Sequence, residues 1–374
     1  MRARLVPPIP GMVPAPLPEA ADIQSLSPAS RPPSLPEGRR GELLWAPIPL
    51  SNPAVGTGLA VAGAYLFAID RSDRVSPPTL AALGGLYTSS GTWALAGVFK
   101  TYLAEDRWRL LGVFSYGDVK TDYFGIGTDA GNAGASVVLR QLGSYLLVEG
   151  LRRVFVPELY AGLRYQRIDI ATTAPDDVPP GIAATLPGTS FSSASAGLGL
   201  RAQFDSRDNN FFPTKGTFGD LTATFFAPEL GGDQRHQKYL LGVNGYRALR
   251  ENMILAARVS VCGVGGDAPH YALCLFGSDG DIRGYKSGQY RDRAMFATQA
   301  ELRVILPKKF GASAFLGLGE VAPALGHLNS SDVLFGGGFG VRYRVTTQDP
   351  INLRLEYAWG RGGGGFYLGV GEAF

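Results

Sequence analysis

From residue 41 onward, apolar and polar residues alternate along the chain with a period of two. This spacing places successive side chains on opposite faces of a β-strand. In the segment 352–359 the odd positions are Leu, Leu, Tyr and Trp, whereas the even positions include Arg354 and Glu356. Short runs of this kind are separated by Gly, Asn, Asp and Pro, and no amphipathic helix of convincing length interrupts them. The pattern predicts an all-β protein.

Counting the runs gives fifteen candidate strands. They cover residues 57–69, 79–88, 92–104, 106–118, 139–153, 157–172, 190–206, 215–228, 237–250, 252–264, 294–307, 310–321, 333–347, 351–361 and 365–374. Single-chain bacterial barrels close with an even number of strands. We therefore add a short strand around Glu42 to Ile48, paired with the last strand, and predict sixteen.

Alternation alone fits two architectures. A soluble sandwich or barrel points its apolar faces inward, whereas an outer-membrane barrel points them at lipid and lines its lumen with charges. The membrane alternative is favoured by aromatic residues near predicted strand ends, as interfacial girdles require. These are Trp45, Trp93, Tyr102, Trp108, Tyr116, Tyr123, Phe124, Phe211, Phe212, Trp359 and Phe366. We predict a transmembrane antiparallel β-barrel over residues 41–374, located in a bacterial outer membrane.

The end of the chain supports the same interpretation. A last strand through Phe374 places Phe366, Leu368 and Val370 on one face, as in the C-terminal assembly signal of bacterial outer-membrane barrels. Glu372 interrupts that face. The competing interpretation is a soluble protein whose sequence ends in phenylalanine.

Composition changes this picture little. Of the 374 residues, 45% are hydrophobic and 18% charged, and no apolar run approaches the roughly 18 residues of a membrane helix. The net charge of +3 gives no reason to expect a nucleic-acid partner.

Residues 1–40 hold ten of the 26 prolines and predict a disordered tail. Prolines also break any apolar part of an export signal. The start codon could be misassigned, or a signal could have been removed or lie outside this numbering.

Two cysteines, Cys262 and Cys274, lie twelve positions apart. They are either two unrelated small residues or a loop disulfide formed in an oxidising compartment. Without clustered histidines they do not predict a zinc site, and we expect no metal and no cofactor.

A catalytic site is not expected either, because His236, His270 and His327 all fall in predicted loops, away from an inward serine. We interpret His270 as a solvated loop residue. The glycine run 362–365 lacks the Lys-Ser/Thr of a phosphate loop and predicts a flexible turn.

The segment Gly280-Asp281-Ile282-Arg283-Gly284-Tyr285 stands in a long loop between two predicted strands. It resembles the arginine-glycine-aromatic motif of the BamA/TamA-type barrel superfamily, also called bacterial surface antigens. Segments 205–216, 123–127 and 47–53 are similar to other blocks of that family, in the same order. The resemblance covers roughly residues 42–374.

The resemblance implies that the loop folds into the lumen and that Arg283, flanked by Ile282, Gly284 and Tyr285, pairs with an acidic residue of the inner wall. A guanidinium in a confined lumen also needs such a partner on physical grounds. The family's acidic residue lies in a Phe-x-Asp-x-Gly pattern, but residue 317 is glycine here. The substitutes are Glu301 and Glu356, both inward by parity and favoured, and Glu320, of the opposite parity to Gly317. Arg283 either only plugs and stabilises the barrel or also takes part in transport.

The family implies assembly or translocation of proteins, or of lipids, at the outer membrane through a weak seam between the first and last strands. Glycines that would loosen the seam are Gly56, Gly58, Gly369 and Gly371. The alternative is a passive or lipid-conducting pore.

Expected partners are outer-membrane lipids and lipopolysaccharide, with unfolded outer-membrane proteins or a periplasmic protein as further candidates; the sequence leaves the oligomeric state open. No periplasmic POTRA domain fits before the first strand, so we expect a POTRA-less branch of the family.

Overall fold

The computed structural model describes residues 41–52, 56–70, 72–73, 75–277, 281–328, 332–345 and 351–374. The predicted tail of residues 1–40, together with Pro53 and Gly280 of the motif segments, lies outside these ranges. No helix in the described ranges is long and apolar enough to cross a membrane.

Sixteen strands form one antiparallel sheet in which each strand pairs with its neighbours in chain order, which confirms the predicted number. Two further short strands, β12 and β13, form a separate two-stranded sheet. The strands are β1 (Glu42–Asn52), β2 (Gly56–Phe67), β3 (Thr79–Thr88), β4 (Trp93–Leu103), β5 (Trp108–Tyr123), β6 (Val137–Arg153), β7 (Leu159–Thr173), β8 (Ser190–Asp205), β9 (Gly216–Phe226), β10 (His236–Arg250), β11 (Met253–Gly266), β12 (Cys274–Phe276), β13 (Tyr290–Asp292), β14 (Ala294–Ile305), β15 (Phe310–Ala322), β16 (Leu334–Arg344), β17 (Asn352–Gly360) and β18 (Gly363–Val370).

Connections of different kinds lie at the two ends of the sheet. One end, the loop end, carries the long segments after β5, β7 and β11, including helices α1 (Thr128–Ala133) and α2 (Pro180–Ala183) and 3-10 turns at Pro228–Leu230, His270–Ala272 and Leu325–His327. The other, the turn end, carries mostly short connections, such as those after β4, β10 and β14. In outer-membrane barrels, short turns face the periplasm and long loops face outward.

The direction of the side chains decides between the two architectures. On β17 the exposed fractions of Leu353, Leu355 and Trp359 are 43%, 47% and 47%, whereas Arg354 and Glu356 are 6% and 1% exposed. The other long strands show the same arrangement, with leucines and phenylalanines outside and charged groups inside. Only a lipid-facing barrel is stable with this inverted pattern. The structure thus confirms the all-β transmembrane fold class.

Several boundaries differ from the sequence prediction. β5 runs five residues beyond the predicted end at 118, and β18 ends at Val370 instead of Phe374. β1 pairs along its whole length with β2. It also approaches β18, with Cα atoms of the two strands within 8 Å, but a β1–β18 ladder is not among the pairings of the described residues.

Part of the predicted aromatic girdle is wrong. Trp45, Trp108, Tyr116, Trp359 and Phe366 are exposed at the outer surface as expected. In contrast, Tyr102, Tyr123, Phe124 and Phe212 are at most 6% exposed. Closeness to a strand end does not reveal whether a ring points outward or packs inside the barrel.

Candidate functional site formed by the Arg283 loop

The segment between β11 and β14 folds back against the barrel wall. A disulfide joins Cys262 of β11 to Cys274 of β12, which fixes the start of the segment to the wall. Phe276, Tyr285 and Tyr290 contact one another edge to face, with centroids 5.2–6.2 Å apart. These rings belong to the largest buried apolar cluster among the described residues. The loop is therefore a packed element, anchored covalently at one end.

The loop at Gly284 lies so close to the wall that no larger residue fits. Its φ is +109°, and a Cβ atom there would come within 2.4 Å of the Trp359 carbonyl carbon. Gly360 leaves similar room on the wall, because a Cβ atom there would overlap the Tyr285 ring. Tyr285 donates from its hydroxyl to the carbonyl oxygen of Phe335 at 2.6 Å. These contacts explain why the motif has glycine between arginine and tyrosine.

Arg283 is fully buried and faces two carboxylates and an amide. Its Nη1 donates to both carboxylate oxygens of Glu356 at 2.8 Å, and its Nη2 donates to Glu301 Oε2 at 2.5 Å. Nε and Nη2 also donate to Gln299 Oε1 at 3.2 and 3.1 Å. The guanidinium carbon lies 3.5 Å from the centre of the Phe315 ring. Thus the charged head of Arg283 is enclosed on its edges and on one face.

Of the three candidate carboxylates, the structure brings Glu301 and Glu356 to Arg283. Within the described ranges, Glu320 makes no ion pair with Arg283. Glu320 lies near the loop end of β15, where it is opposite Phe296 of β14. Parity correctly places Glu301 and Glu356 inside the barrel, whereas Glu320, of the opposite parity, is also buried because alternation is lost at the end of β15.

The structure also explains the glycine at position 317. A Cβ atom at Gly317 would lie 3.3 Å from Ile282 Cδ1 and 2.7 Å from the Thr298 carbonyl oxygen. The side chain of Ile282 therefore takes the space that an aspartate would need. The negative charge comes instead from β14 and β17, the strands of Glu301 and Glu356.

Further arginines converge on these carboxylates. Glu301 Oε1 accepts from Arg303 Nε at 2.8 Å and from Arg342 Nη2 at 2.9 Å. Glu356 Oε2 accepts from Arg354 Nη1 at 2.8 Å. All of these side chains are less than 8% exposed. Charges removed from water are stable only when they are paired and hydrogen-bonded, so the loop and the wall depend on one another.

Arg342 links this network to the end of the chain. Besides Glu301 and Glu356, it contacts Glu372 Oε2 at 3.2 Å. Arg303 lies 3.5 Å from the same oxygen and donates to the Phe374 carbonyl oxygen at 2.9 Å. We refer to Arg283, Arg303, Arg342, Arg354, Glu301, Glu356 and Glu372 as the lumen network.

Alternation predicts Glu372 on the outer face with Phe366, Leu368 and Val370, and this prediction is wrong. Gly371 has a φ of +81°, which ends the strand and breaks the alternation. The Glu372 side chain consequently enters the lumen and is 2% exposed. The lipid-facing row of β18 is not interrupted by a charge, and Phe374 lies beyond the strand.

The Arg283 loop also contacts the last strand directly. The backbone N–H of Gly284 donates to the Tyr367 hydroxyl at 3.0 Å, and that hydroxyl donates to the Tyr285 carbonyl oxygen at 3.3 Å. Tyr367 is 3% exposed. β18, the last strand of the sheet, is therefore held to the Arg283 loop by a buried contact between uncharged groups.

The segment that contains α1 covers the Arg283 loop on the side that faces the loop end of the barrel. Gln289 donates to the Gly131 carbonyl oxygen at 3.1 Å, and the Tyr290 hydroxyl donates to Asn132 Oδ1 at 3.2 Å. Lys286 pairs with Asp122 at 3.1 Å in a partly exposed position. These contacts restrict the movement of the Arg283 loop towards the loop end of the barrel. Periodicity in the sequence does not predict them.

His270, interpreted as a solvated residue, is 6% exposed. The rings of Tyr123, Phe191 and Tyr271 lie 5.4–5.7 Å from it, edge to face. Burial and, secondarily, the charge of Arg291 lower the pKa of His270 to about 3. A loop position in the sequence did not imply contact with water, because this loop packs inside the barrel.

A second group of buried charged residues, which the sequence analysis does not single out, lies on the inner wall away from the Arg283 loop. Arg201 of β8 pairs with Glu149 of β6 at 2.7 Å and with Asp220 of β9 at 2.5 Å. All three are less than 5% exposed. Their inward parity could have indicated them. In the ranges that the structure describes, no group of three or more His, Cys, Asp or Glu residues is placed to hold a metal ion.

A sixteen-stranded barrel of inverted polarity, with an arginine loop docked on inward carboxylates, defines an outer-membrane β-barrel protein. The Omp85 superfamily domain matches residues 93–374. The chain belongs to the Omp85 superfamily, and the BamA/TamA-type resemblance is confirmed.

Solved structures share the fold. BamA from Haemophilus ducreyi lacking POTRA domains 1–3 has a TM-score of 0.59 at 14% identity, covering 88% of this chain and 69% of that one. CdiB from Escherichia coli has a TM-score of 0.60 at 15% identity, covering 90% and 63%. CdiB from Acinetobacter baumannii has a TM-score of 0.52 at 10% identity, covering 88% and 59%. The chain thus spans less than two thirds of the CdiB chains. No curated protein sequence matches it.

Proposed function

We propose that this barrel assembles or translocates proteins at the outer membrane, through a seam between β1 and β18. The observation that carries the proposal is the Arg283 loop, docked on the lumen network inside a barrel of the Omp85 superfamily. The substrates would be unfolded outer-membrane or exported proteins, delivered by a periplasmic partner.

The geometry of β18 supports a seam that opens. β18 has eight residues, whereas β5–β8 have 15–17, so it offers a short ladder to a partner strand. Four of its eight residues, Gly363, Gly364, Gly365 and the predicted seam glycine Gly369, carry no side chain for cross-strand packing. The predicted seam glycines Gly56 and Gly58 belong instead to β2, so the first strand itself does not contain them.

In this mechanism the Arg283 loop holds the wall next to the seam. It contacts β14, β17 and β18 through Glu301, Glu356 and Tyr367. Opening between β1 and β18 would displace β18 relative to the loop. We propose that the lumen network sets the energy of that displacement, and that the barrel works without a catalytic site or a cofactor.

A second candidate function is a passive or lipid-conducting pore. It is favoured by the charged inner wall, which includes Arg201, Glu149 and Asp220 away from the loop. A pore predicts conductance that rises when the loop is released.

Depletion of the protein in its host distinguishes the two candidates. Assembly predicts that other outer-membrane proteins decline while this protein is depleted, and that the native chain restores them but Arg283→Ala does not. Unchanged levels of outer-membrane proteins and lipids contradict the assembly proposal. Planar-bilayer recording of the native and Arg283→Ala barrels tests the pore, which is rejected if neither conducts.

A further inference from the structure

Basic side chains outnumber acidic ones on two adjoining turns at the turn end, where four exposed basic residues face one exposed carboxylate, Glu251. Two neighbouring turns are concerned, β10–β11 and β14–β15, joined by a hydrogen bond from the Ile305 N–H to the Asn252 carbonyl oxygen at 2.9 Å. The basic residues of these turns are exposed: Arg247, Arg250, Lys308 and Lys309. Among the described residues, none of these four pairs with a carboxylate within 4.0 Å. We call them the basic turn patch.

Three exposed arginines towards the loop end, in contrast, pair with carboxylates. Arg140 pairs with Asp118, Arg167 with Asp169, and Arg235 with Glu229, at 2.5–2.7 Å. The paired arginines have 38–65% of their side chains exposed, so exposure alone does not account for the difference. At the turn end, Arg107 of the β4–β5 connection likewise pairs with Glu105 at 3.5 Å although its side chain is 65% exposed. The residues of the basic turn patch therefore differ from exposed arginines at both ends of the barrel.

The β14–β15 turn has an unfavourable local sequence. The Phe310 N–H bonds to the Pro307 carbonyl oxygen at 3.4 Å, so Lys308 and Lys309 are the two central residues. Both have positive φ, 58° and 72°. Hairpin turns of this kind strongly prefer Asn-Gly, because non-glycine residues rarely adopt φ above zero. Two lysines at these positions thus cost local stability, and strain of this kind is found at functional sites.

Apolar side chains continue from the lipid-facing surface to this patch. Phe310 and Tyr343 are 52% and 44% exposed, and their rings contact each other edge to face at 5.4 Å. Leu249 and Leu306 are 49% and 42% exposed beside the basic residues. Aromatic rings mark the height of the membrane interface, so the four positive charges lie at the level of lipid headgroups.

We propose that the basic turn patch binds the phosphate of an anionic glycerophospholipid in the leaflet that meets the turn end. The ammonium and guanidinium groups contact the phosphate, while Phe310 and Leu306 contact the acyl chains. A basic surface that continues an apolar, lipid-facing wall is complementary to a molecule with both parts. This leaflet is the periplasmic one by the rule of short turns, which favours a glycerophospholipid over lipopolysaccharide. The inference is independent of the proposed function.

Native mass spectrometry of the full barrel in zwitterionic detergent tests the site, with phosphatidylglycerol, phosphatidylcholine and lipopolysaccharide as separate probes. The variant combines Arg250→Ser, Lys308→Ser and Lys309→Ser. Its control combines Arg140→Ser, Arg167→Ser and Arg235→Ser, which removes the same charge from the loop end. Each basic residue near an anionic surface strengthens binding by roughly fivefold, so the turn variant should retain phosphatidylglycerol about 100-fold more weakly, and the control about as well as the native chain.

Three results would overturn the proposal: unchanged phosphatidylglycerol binding in the turn variant, equal loss in both triple variants, or a loss confined to lipopolysaccharide. Lys308→Arg with Lys309→Arg keeps the charge and should keep the lipid. If the triple variant does not fold, Lys309→Ser alone should weaken phosphatidylglycerol binding by roughly fivefold relative to Arg235→Ser.

Discussion

Arg283 and Glu356 are 73 positions apart in the chain, yet Nη1 of the arginine lies 2.8 Å from both oxygens of the carboxylate. Both side chains are fully enclosed. The pair joins the Arg283 loop, which is not part of the sixteen-stranded sheet, to β17, the strand before the last one. Holding the loop in the lumen is the direct consequence of this contact.

Replacing Arg283 should destabilise the folded barrel strongly. Arg283→Ala removes one of the two arginines that pair with both Glu301 and Glu356, and breaking a buried pair costs about 3–5 kcal/mol, which Arg342 offsets in part. Arg283→Lys keeps the charge but not the planar set of donors, so we expect an intermediate loss. Resistance of the folded band to heating in gel electrophoresis measures the effect. Lys286→Ala, in the same loop but half exposed, is the control and should change little; equal midpoints for all variants would contradict the docked loop.

Restoring the aspartate of the family pattern should be harmful here. In Gly317→Asp the new side chain would collide with Ile282 and the Thr298 carbonyl oxygen. It would also add a fourth carboxylate to the lumen network. We expect a loss of about 1–3 kcal/mol from overpacking alone. Gly326→Asp, at a position with open space around it, is the matched control. A more heat-resistant Gly317→Asp barrel would show that the site accepts the family's acid.

Arg283 and Arg342 should not act independently. Both contact Glu301 and Glu356, so the second removal acts on carboxylates already disturbed by the first. A double-mutant cycle with Arg283→Ala and Arg342→Ala should give an interaction energy of about 0.5–3 kcal/mol. Arg201→Ala, on the distant polar group, should combine additively with Arg283→Ala. Additivity of the first pair would mean that the lumen network does not couple the loop to the wall.

Tyr367→Phe tests the contact between the loop and the last strand without changing any charge. It removes the acceptor for the Gly284 N–H and the donor to the Tyr285 carbonyl oxygen. An unsatisfied buried group costs about 1–3 kcal/mol. Faster hydrogen exchange at residues 281–285 is the expected result, measured by mass spectrometry. Tyr343→Phe, on the outer surface, should leave the exchange of this loop unchanged. Native exchange in Tyr367→Phe would show that the strand does not hold the loop.

Acid should weaken the packing of the β11–β14 segment through His270. Its pKa is lowered to about 3 in the folded protein, from an ordinary value near 6.5. The unfolded segment therefore binds more protons, and stability falls as pH drops from about 6.5 towards 3. The limit is about 1.4 kcal/mol per pH unit. Limited proteolysis between pH 7 and 4 should detect earlier cleavage of the loop, and His270→Gln should lose part of this pH dependence. An identical pH profile in His270→Gln would exclude the histidine as the cause.

Reduction of the Cys262–Cys274 disulfide should release the start of the Arg283 loop from the barrel wall. Closing a loop of about 15 residues stabilises a protein by about 3 kcal/mol, and this bridge spans twelve positions. The folded native barrel should unfold at a lower temperature after reduction, whereas Cys262→Ser with Cys274→Ser should show the lower value in either redox state. No difference between the oxidised and reduced native protein would contradict this prediction.

Local pattern in the sequence determined much of the fold. The alternation at 352–359 and its counterparts predicted fifteen strands of the barrel and the inward parity of Glu301 and Glu356, because side-chain direction on a regular strand depends only on position. The sixteenth strand followed from the even number of strands in closed barrels. The same rule failed where regular strand ends: Gly371 turned Glu372 inward, and the packed loop buried His270.

The sequence by itself therefore determined an outer-membrane barrel with an arginine loop. Only the tertiary structure decided which carboxylates meet Arg283, why Gly317 cannot be an aspartate, and that Arg342 and Tyr367 connect the loop to the end of the chain. These contacts join residues from 18 to 83 positions apart. They form because the curved sheet brings distant strands around one lumen, and no local periodicity records which side chains face each other across it.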